Sequence, residues 1–142
     1  MFEMANKIYF SNEKAITAEE LSRIFLASGI QHRPVSDLKR LNTMLENSNM
    51  LWTAWDDSKL VGVARALTDY SYACYLSDLA VDASYQKQGI GHTLIQKVRE
   101  EIGPDVSLLL LSAPSAIAYY QKNQFEHVNN AFLIKRGPFQ IY

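Results

Sequence analysis

Two glycines, Gly89 and Gly91, stand in the stretch Gln86-Lys87-Gln88-Gly89-Ile90-Gly91, between an apolar run that reads as a strand and a run with helical periodicity. A helix that starts there presents several unpaired backbone N–H groups and the positive end of its dipole, worth roughly half an elementary charge. That is chemistry suited to a diphosphate. Glycine fits because the ligand would touch the main chain itself, and because a turn of successive N–H groups often needs positive φ. The cradle would run from Gln86 through Lys87, Gln88, Gly89, Ile90 and Gly91 to His92, with Lys87 adding a cation at the rim. The plain alternative is a tight strand-to-helix turn without a ligand. A dinucleotide fingerprint would want a third glycine at Leu94, and a P-loop would want Gly-Lys-Ser/Thr, a tripeptide the chain lacks.

Other side chains have chemistry in reserve. Asp78 sits inside an otherwise apolar strand, where a carboxylate needs a reason: it either holds or deprotonates an amine, or is a strand-edge carboxylate that pairs with a nearby Lys or Arg or faces solvent. His32, next to Arg33 in a loop, either lines an entrance as a base active near neutral pH or is simply solvated. Cys74 has no activating neighbour in sequence and reads as a small strand residue. Trp52 and Trp55 read as sheet packing, and Tyr119 and Tyr120 as aromatics of a helix.

Composition narrows the partners. Fourteen basic against fifteen acidic residues give a formal net charge of -1, so no global field favours nucleic acid or an anionic membrane. One cysteine forms no internal disulfide, and no Cys/His cluster has metal-ligand spacing; no metal is expected, and a reducing, cytoplasmic setting is. The start MFEMANKIYF lacks the charge and apolar run of a signal peptide, and VSLLLL, Val106 to Leu111, is far short of the roughly 20 residues that span a bilayer. With 142 residues, 48% hydrophobic and 20% charged, residues 1–142 read as one domain with a substantial core.

The elements that must position these groups follow in order. A strand near Lys7–Ser11 precedes a helix opened by the Thr17/Glu20 capping box and closed by Gly29. Pro34 keeps GIQHRPVSD a loop, and Ser36 or Asp37 caps a second helix with Leu38, Leu41 and Leu45. Two strands joined at Asp56–Lys59 and a third over Ala73–Asp82 make an antiparallel meander. A helix from Ile90 to Ile102 ends at Gly103, VSLLLL reads as a buried central strand, and Pro114 opens a last helix through Ala116, Ile117 and Tyr120. Short strands near Glu126–Asn129 and Ala131–Arg136 finish the chain. The strand-helix-strand order over 73–111 implies a crossover and a parallel pair. The expected class is α+β: a mixed, mostly antiparallel sheet of six to seven strands with about four helices. The apolar run FLIKRGPFQIY has two uses, pairing at a sheet edge to give a homodimer or covering the chain's own core.

The glycine loop resembles that of the GNAT superfamily of N-acetyltransferases. The family pattern Gln/Arg-x-x-Gly-x-Gly/Ala is matched by Gln86, Gly89 and Gly91, preceded by YLSDLAVDASY, similar to the family's central strand. A second element, an aromatic followed by Tyr, polar residues and Phe, is matched by Tyr119, Tyr120 and Phe125. Two positions depart from the pattern: Ala113 where many members have Asn, and Gln124 where most have Gly before the Phe. The second implies an altered turn after the last helix.

The resemblance implies an α+β fold, acetyl-CoA as cosubstrate and direct transfer of the acetyl group to a primary amine. It implies that the pantetheine arm lies along Leu79, Ala80 and Val81, that the Leu79 N–H faces the thioester oxygen, and that Tyr120 is the general acid to the departing thiolate. An amine with a pKa near ~10.4 is neutral at pH 7 only to about one part in 2,500, roughly 4.6 kcal/mol, so a base or a desolvated pocket must help; Asp78 and His32 are the candidates. A small-molecule amine is the expected acceptor, since no charged stripe suits a peptide. The competing reading is a regulatory module that binds CoA without turnover.

Overall fold

The structure, a computed structural model, describes residues 7–137. Residues 1–6 and 138–142, including the ends of MFEMANKIYF and FLIKRGPFQIY, lie outside the described residues. In chain order the elements are β1 (Ile8–Ser11), α1 (Ala18–Ser28), α2 (Leu38–Glu46), β2 (Met50–Asp56), β3 (Lys59–Thr68), β4 (Ala73–Val81), α3 (Ile90–Ile102), β5 (Ser107–Leu109) and α4 (Ile117–Lys122). Single 3-10 turns lie at Ala83–Tyr85 and Pro114–Ala116.

The strands form one sheet in the order β1-β2-β3-β4-β5; the first four pair antiparallel and β5 runs parallel to β4. The α+β class, the four helices and the parallel pair match the expectation; the strand count does not. Five strands form, not six to seven, because the chain over 126–136 pairs with no sheet edge among the described residues. Within it Phe132 and Ile134 face outward, at 97% and 98% exposure. Alternating apolar residues make a strand only where a partner edge completes the ladder. The run VSLLLL is likewise an edge rather than the centre: only Ser107–Leu109 pair, and Leu109 is 46% exposed.

Two apolar layers sandwich the sheet. On one face α3 lays Ile90, Leu94, Val98 and Ile102 against Val61, Ala64, Ala66, Cys74 and Leu76. On the other, Leu21, Ile24 and Phe25 of α1 and Leu41 of α2 cover Trp55, Leu60, Val63 and Ala80. Burying each such leucine or isoleucine contributes about 1.5–3 kcal/mol. At Gly62 an added Cβ would stand 3.2 Å from both Ile90 Cγ2 and Leu94 Cδ1, so its absence lets α3 sit close on β3. The capping box forms as the spacing predicts: Thr17 Oγ1 accepts from the Glu20 N–H at 3.1 Å and Glu20 Oε1 accepts from the Thr17 N–H at 2.9 Å. Asp37, not Ser36, caps α2, accepting from the Arg40 N–H at 3.1 Å.

Candidate active site

The connection from β4 to α3 is built to hold its backbone open. Asp82 caps the 3-10 turn by accepting from the Ser84 N–H at 2.8 Å. The Gln86 amide then donates to Val81 O at 2.8 Å and to Ser28 O at 3.2 Å, tying the loop to the end of β4 and the end of α1. Two residues turn left-handed, Lys87 (φ 66°) and Gly89 (φ 86°). Thr93 is the first residue of α3 whose N–H bonds backward, to Gly89 O at 3.0 Å. Among the described residues, the N–H groups of residues 87–92 meet no acceptor. This row of free donors at a helix N-terminus is a ready anion cradle.

The two glycines serve different ends. A Cβ added at Gly89 would meet only open space, so its left-handed backbone is what calls for glycine. Gly91 has no positive φ, and a Cβ there would run into the hydroxyl of Tyr119. The neighbour that needs the room at Gly91 is a tyrosine of α4. Read from the sequence, that room falls to a ligand, because the packing of α3 on α4 is not visible there.

Strand β4 outlasts its parallel partner. Pairing with β5 covers Ala73–Tyr75 only, whereas pairing with β3 continues to Val81. The edge of residues 76–81, which includes Leu79, Ala80 and Val81, therefore carries no β5 partner. Within it the register shifts: Ala66 lies opposite Leu76 and Arg65 opposite Asp78, leaving Ser77 as the extra residue of a bulge. The bulge changes which face each side chain meets. Leu76 packs with the α3 core, whereas Ala80 packs with the α1 and α2 core.

Asp78, its side chain fully buried, lies between two arginines. Oδ1 accepts from Arg33 Nε at 2.6 Å and Oδ2 accepts from Arg65 Nε. Both oxygens are occupied, so of the readings offered by the sequence the structure forms the ion pair. Arg33 also donates to Ser77 O and Gln31 O, each at 2.8 Å, and Arg65 to Ser77 Oγ at 2.9 Å and Ser48 Oγ at 3.0 Å. His32 is exposed at φ 62°. Arg65 interrupts an apolar strand as Asp78 does, which marks it in the sequence as a candidate partner; that the two lie opposite, and that Arg33 joins them, depends on the bulge and on a loop and is not visible there.

Tyr120 sits edge-on between Tyr119 and Phe125, ring centroids 5.2 and 5.5 Å away. It lines a cleft of about 770 Å³ with Leu108, Leu110, Ile117 and Phe125. Burial, and then the neighbouring Tyr119, push its phenol up to about 12, against an opposing pull from the Arg33 guanidinium. The helix carrying it docks on α3 through side chains that no sequence pattern pairs. His92 Nδ1 lies 2.8 Å from Asn123 Oδ1, and Arg99 Nη1 donates to Gln124 Oε1 at 2.9 Å. In the turn after α4, Gln124 takes the left-handed conformation itself (φ 75°), with Phe125 N–H on Tyr120 O at 3.0 Å and Gln124 N–H on Gln121 O at 3.1 Å. Ala113 stands exposed before the 3-10 turn and makes no side-chain cap.

The site brings the glycine loop, the open edge of β4 and the tyrosines of α4 to one end of the sheet. Residues 13–138 match the family described as Acetyltransferase (GNAT) domain. An uncharacterized N-acetyltransferase, ycf52, of Pyropia yezoensis is 32% identical over 127 residues, 83% of this chain and 70% of that one. The chloroplastic GCN5-related N-acetyltransferase 2 of Arabidopsis thaliana is 29% identical over 87% of this chain, which spans about half (55%) of its length. In fold, the chain resembles AAC(6')-Iy in complex with the bisubstrate analogue CoA-S-monomethyl-acetylneamine, with TM-score 0.70, 15% identity and coverage of 93% of this chain and 99% of that one. By sequence and by fold, the chain belongs to the GNAT family of acetyltransferases, as an acyltransferase domain.

Proposed function

We propose that residues 1–142 form one domain that transfers the acetyl group of acetyl-CoA to a primary amine. The observation that carries this is the row of free N–H groups over 87–92, set beside a β4 edge with no partner beyond Tyr75. The cradle matches a diphosphate in charge and in its need for bare backbone. The open edge of Leu79, Ala80 and Val81 offers main-chain groups to an extended amide-bearing arm, as strand addition does. AAC(6')-Iy, which the chain resembles in fold, is in complex with a CoA-linked analogue, which supports acetyl-CoA as the cosubstrate.

Acetyl-CoA supplies the thioester acyl group; the chain's residues place it and manage charge. In this reading the Leu79 N–H donates to the thioester oxygen as negative charge gathers there, an effect worth a few kcal/mol when the donor is fixed in advance. Tyr120 donates to the departing sulfur. With its phenol at about 12 and a thiol near ~8.5, complete proton transfer would be uphill by roughly 5 kcal/mol, so Tyr120 acts through a hydrogen bond that steadies the thiolate. Asp78 is occupied by Arg33 and Arg65, so proton uptake from the amine falls to solvent and to the exposed imidazole of His32. Gln86 and His92 serve the cradle indirectly, through their bonds to Val81, Ser28 and Asn123. The acceptor is a small amine, the setting is cytoplasmic, and a second copy is the partner for the apolar run that begins at Phe132.

The test has two arms: acetyl-CoA is titrated calorimetrically, and thiol release is followed with polyamines, amino acids, aminoglycosides and peptides. Saturable binding with release that depends on one amine class is the expected result. Binding with no release across the panel would instead make the chain a CoA-binding module.

A further inference from the structure

We infer that Arg33 is a positioning residue for the acceptor: it latches the loop between α1 and α2 onto the bulge of β4. The inference rests on the acetyl-transfer reading, in which His32 of that loop takes up the proton of the amine. The latch is built from one carboxylate and two guanidinium groups. Arg33, only 21% exposed at its side chain, reaches from the loop to Asp78 Oδ1 at 2.6 Å and to the bulged carbonyl of Ser77 at 2.8 Å. The same group donates to Gln31 O at 2.8 Å, so it also fixes the loop that bears left-handed His32.

Arg65 closes the arrangement from the other side. It shares Asp78 and donates to Ser48 Oγ at 3.0 Å, just past the end of α2. Helix α2 therefore has both flanks tied to one buried carboxylate, Arg33 before it and Ser48 after it. It needs the ties, since Leu41 is its only fully buried residue.

Charge balance separates this role from core stability. Two cations surround one anion, so removing Arg33 leaves Arg65 and Asp78 as a balanced pair, with no buried charge unpaired. Neutrality of the buried site does not require Arg33. Position does: a guanidinium with donors on three nitrogens reaches a carboxylate and two carbonyls at once, which an ammonium on a flexible stem cannot.

The experiment compares the full chain with Arg33→Ala and Arg33→Lys, and with Arg33→Gln where either fails to fold. Hydrogen exchange is expected to quicken tenfold or more over 30–48 while the amides of 83–102 are unchanged. Acetyl-CoA affinity by calorimetry is expected to stay within twofold. The KM for the amine found by the screen is expected to rise at least tenfold with kcat changed less than threefold, and Arg33→Lys is expected not to restore it. Unchanged exchange over 30–48, or acetyl-CoA affinity falling as far as that of the amine, overturns the latch. Wild-type chain that binds no acetyl-CoA overturns the acetyl-transfer reading instead, and is seen before any variant is made.

Discussion

The hydroxyl of Tyr119 occupies the space that a side chain on Gly91 would need. The first turn of α3 and helix α4 therefore meet at a point where neither residue changes alone without effect. His92 and Asn123 join the same two helices one residue along, so the cradle for an anion and the helix bearing Tyr120 are one packed unit.

Gly91→Ala is expected to destabilise the fold by about 1 kcal/mol, the low end for an inserted methyl, because the ring of Tyr119 is 39% exposed and can swing outward. That is about 3–4 °C in Tm for a chain of this size. Tyr119→Phe removes the colliding atom, so the double variant is expected to regain most of the loss. Simple addition of the two single effects in a thermal-melt cycle would show that the contact does not couple them.

Gly89→Ala meets no steric obstacle, yet it is expected to lose about 1–2 kcal/mol, since φ 86° is left-handed and alanine avoids it. Gly89→Asn tolerates that conformation better and is expected to lose less than half as much. Relaxation of the loop in the alanine variant would also turn its N–H groups away. Acetyl-CoA binding, measured by calorimetry, is expected to weaken at least tenfold in Gly89→Ala; an unchanged affinity would show that the cradle does not depend on this turn.

The high phenol of Tyr120 gives a pH signature. Its folded pKa of about 12 exceeds the unfolded value near 10, so its stabilising contribution is complete below pH 10 and is lost as pH rises through 12. Ultraviolet titration of tyrosinate is expected to lose one late-ionising component in Tyr120→Phe; Tyr70, hydrogen-bonded to Glu101 and also raised to about 12, remains as a second. Because the phenol stays protonated across the working range, kcat is expected to show no alkaline fall owed to Tyr120 below pH 10. Loss of the phenol is expected to lower kcat by 10- to 100-fold without a change in acetyl-CoA affinity. A fall at pH 9 that disappears in Tyr120→Phe would contradict the shift.

Local signals carry most of the fold. The capping box at Thr17, the periodicity of α3 and the meander ending in β4 are determined within short windows, so one sequence suffices to read them. What stays hidden in it is long-range. That β5 is an edge depends on where 126–136 goes, and hydropathy is blind to that. That Asp78 meets Arg33 and Arg65 depends on a bulge at Ser77, where one extra residue decides which face every following side chain takes. The glycine loop is legible as a pattern, but the reason for Gly91 lies 28 residues away in Tyr119.

At Gln124 the backbone itself invites a substitution expected to stabilise. Gln124 holds φ 75° at the second residue after α4, where the hydrogen bonds from Phe125 to Tyr120 and from Gln124 to Gln121 require a left-handed turn. A side chain there carries a strain of about 1–2 kcal/mol. Against that, Gln124 Oε1 accepts from Arg99 at 2.9 Å, an exposed bond worth about 0.5–1 kcal/mol. Gln124→Gly removes both, and the difference favours glycine by roughly 0.5–1 kcal/mol, about 2–4 °C in Tm. Gln124→Ala removes the bond and keeps the strain, so it is expected to move Tm the other way. Opposite signs for the two variants identify the backbone as the source of the effect; a common drop would assign it to the Arg99 contact, and with it the docking of the helix that presents Tyr120.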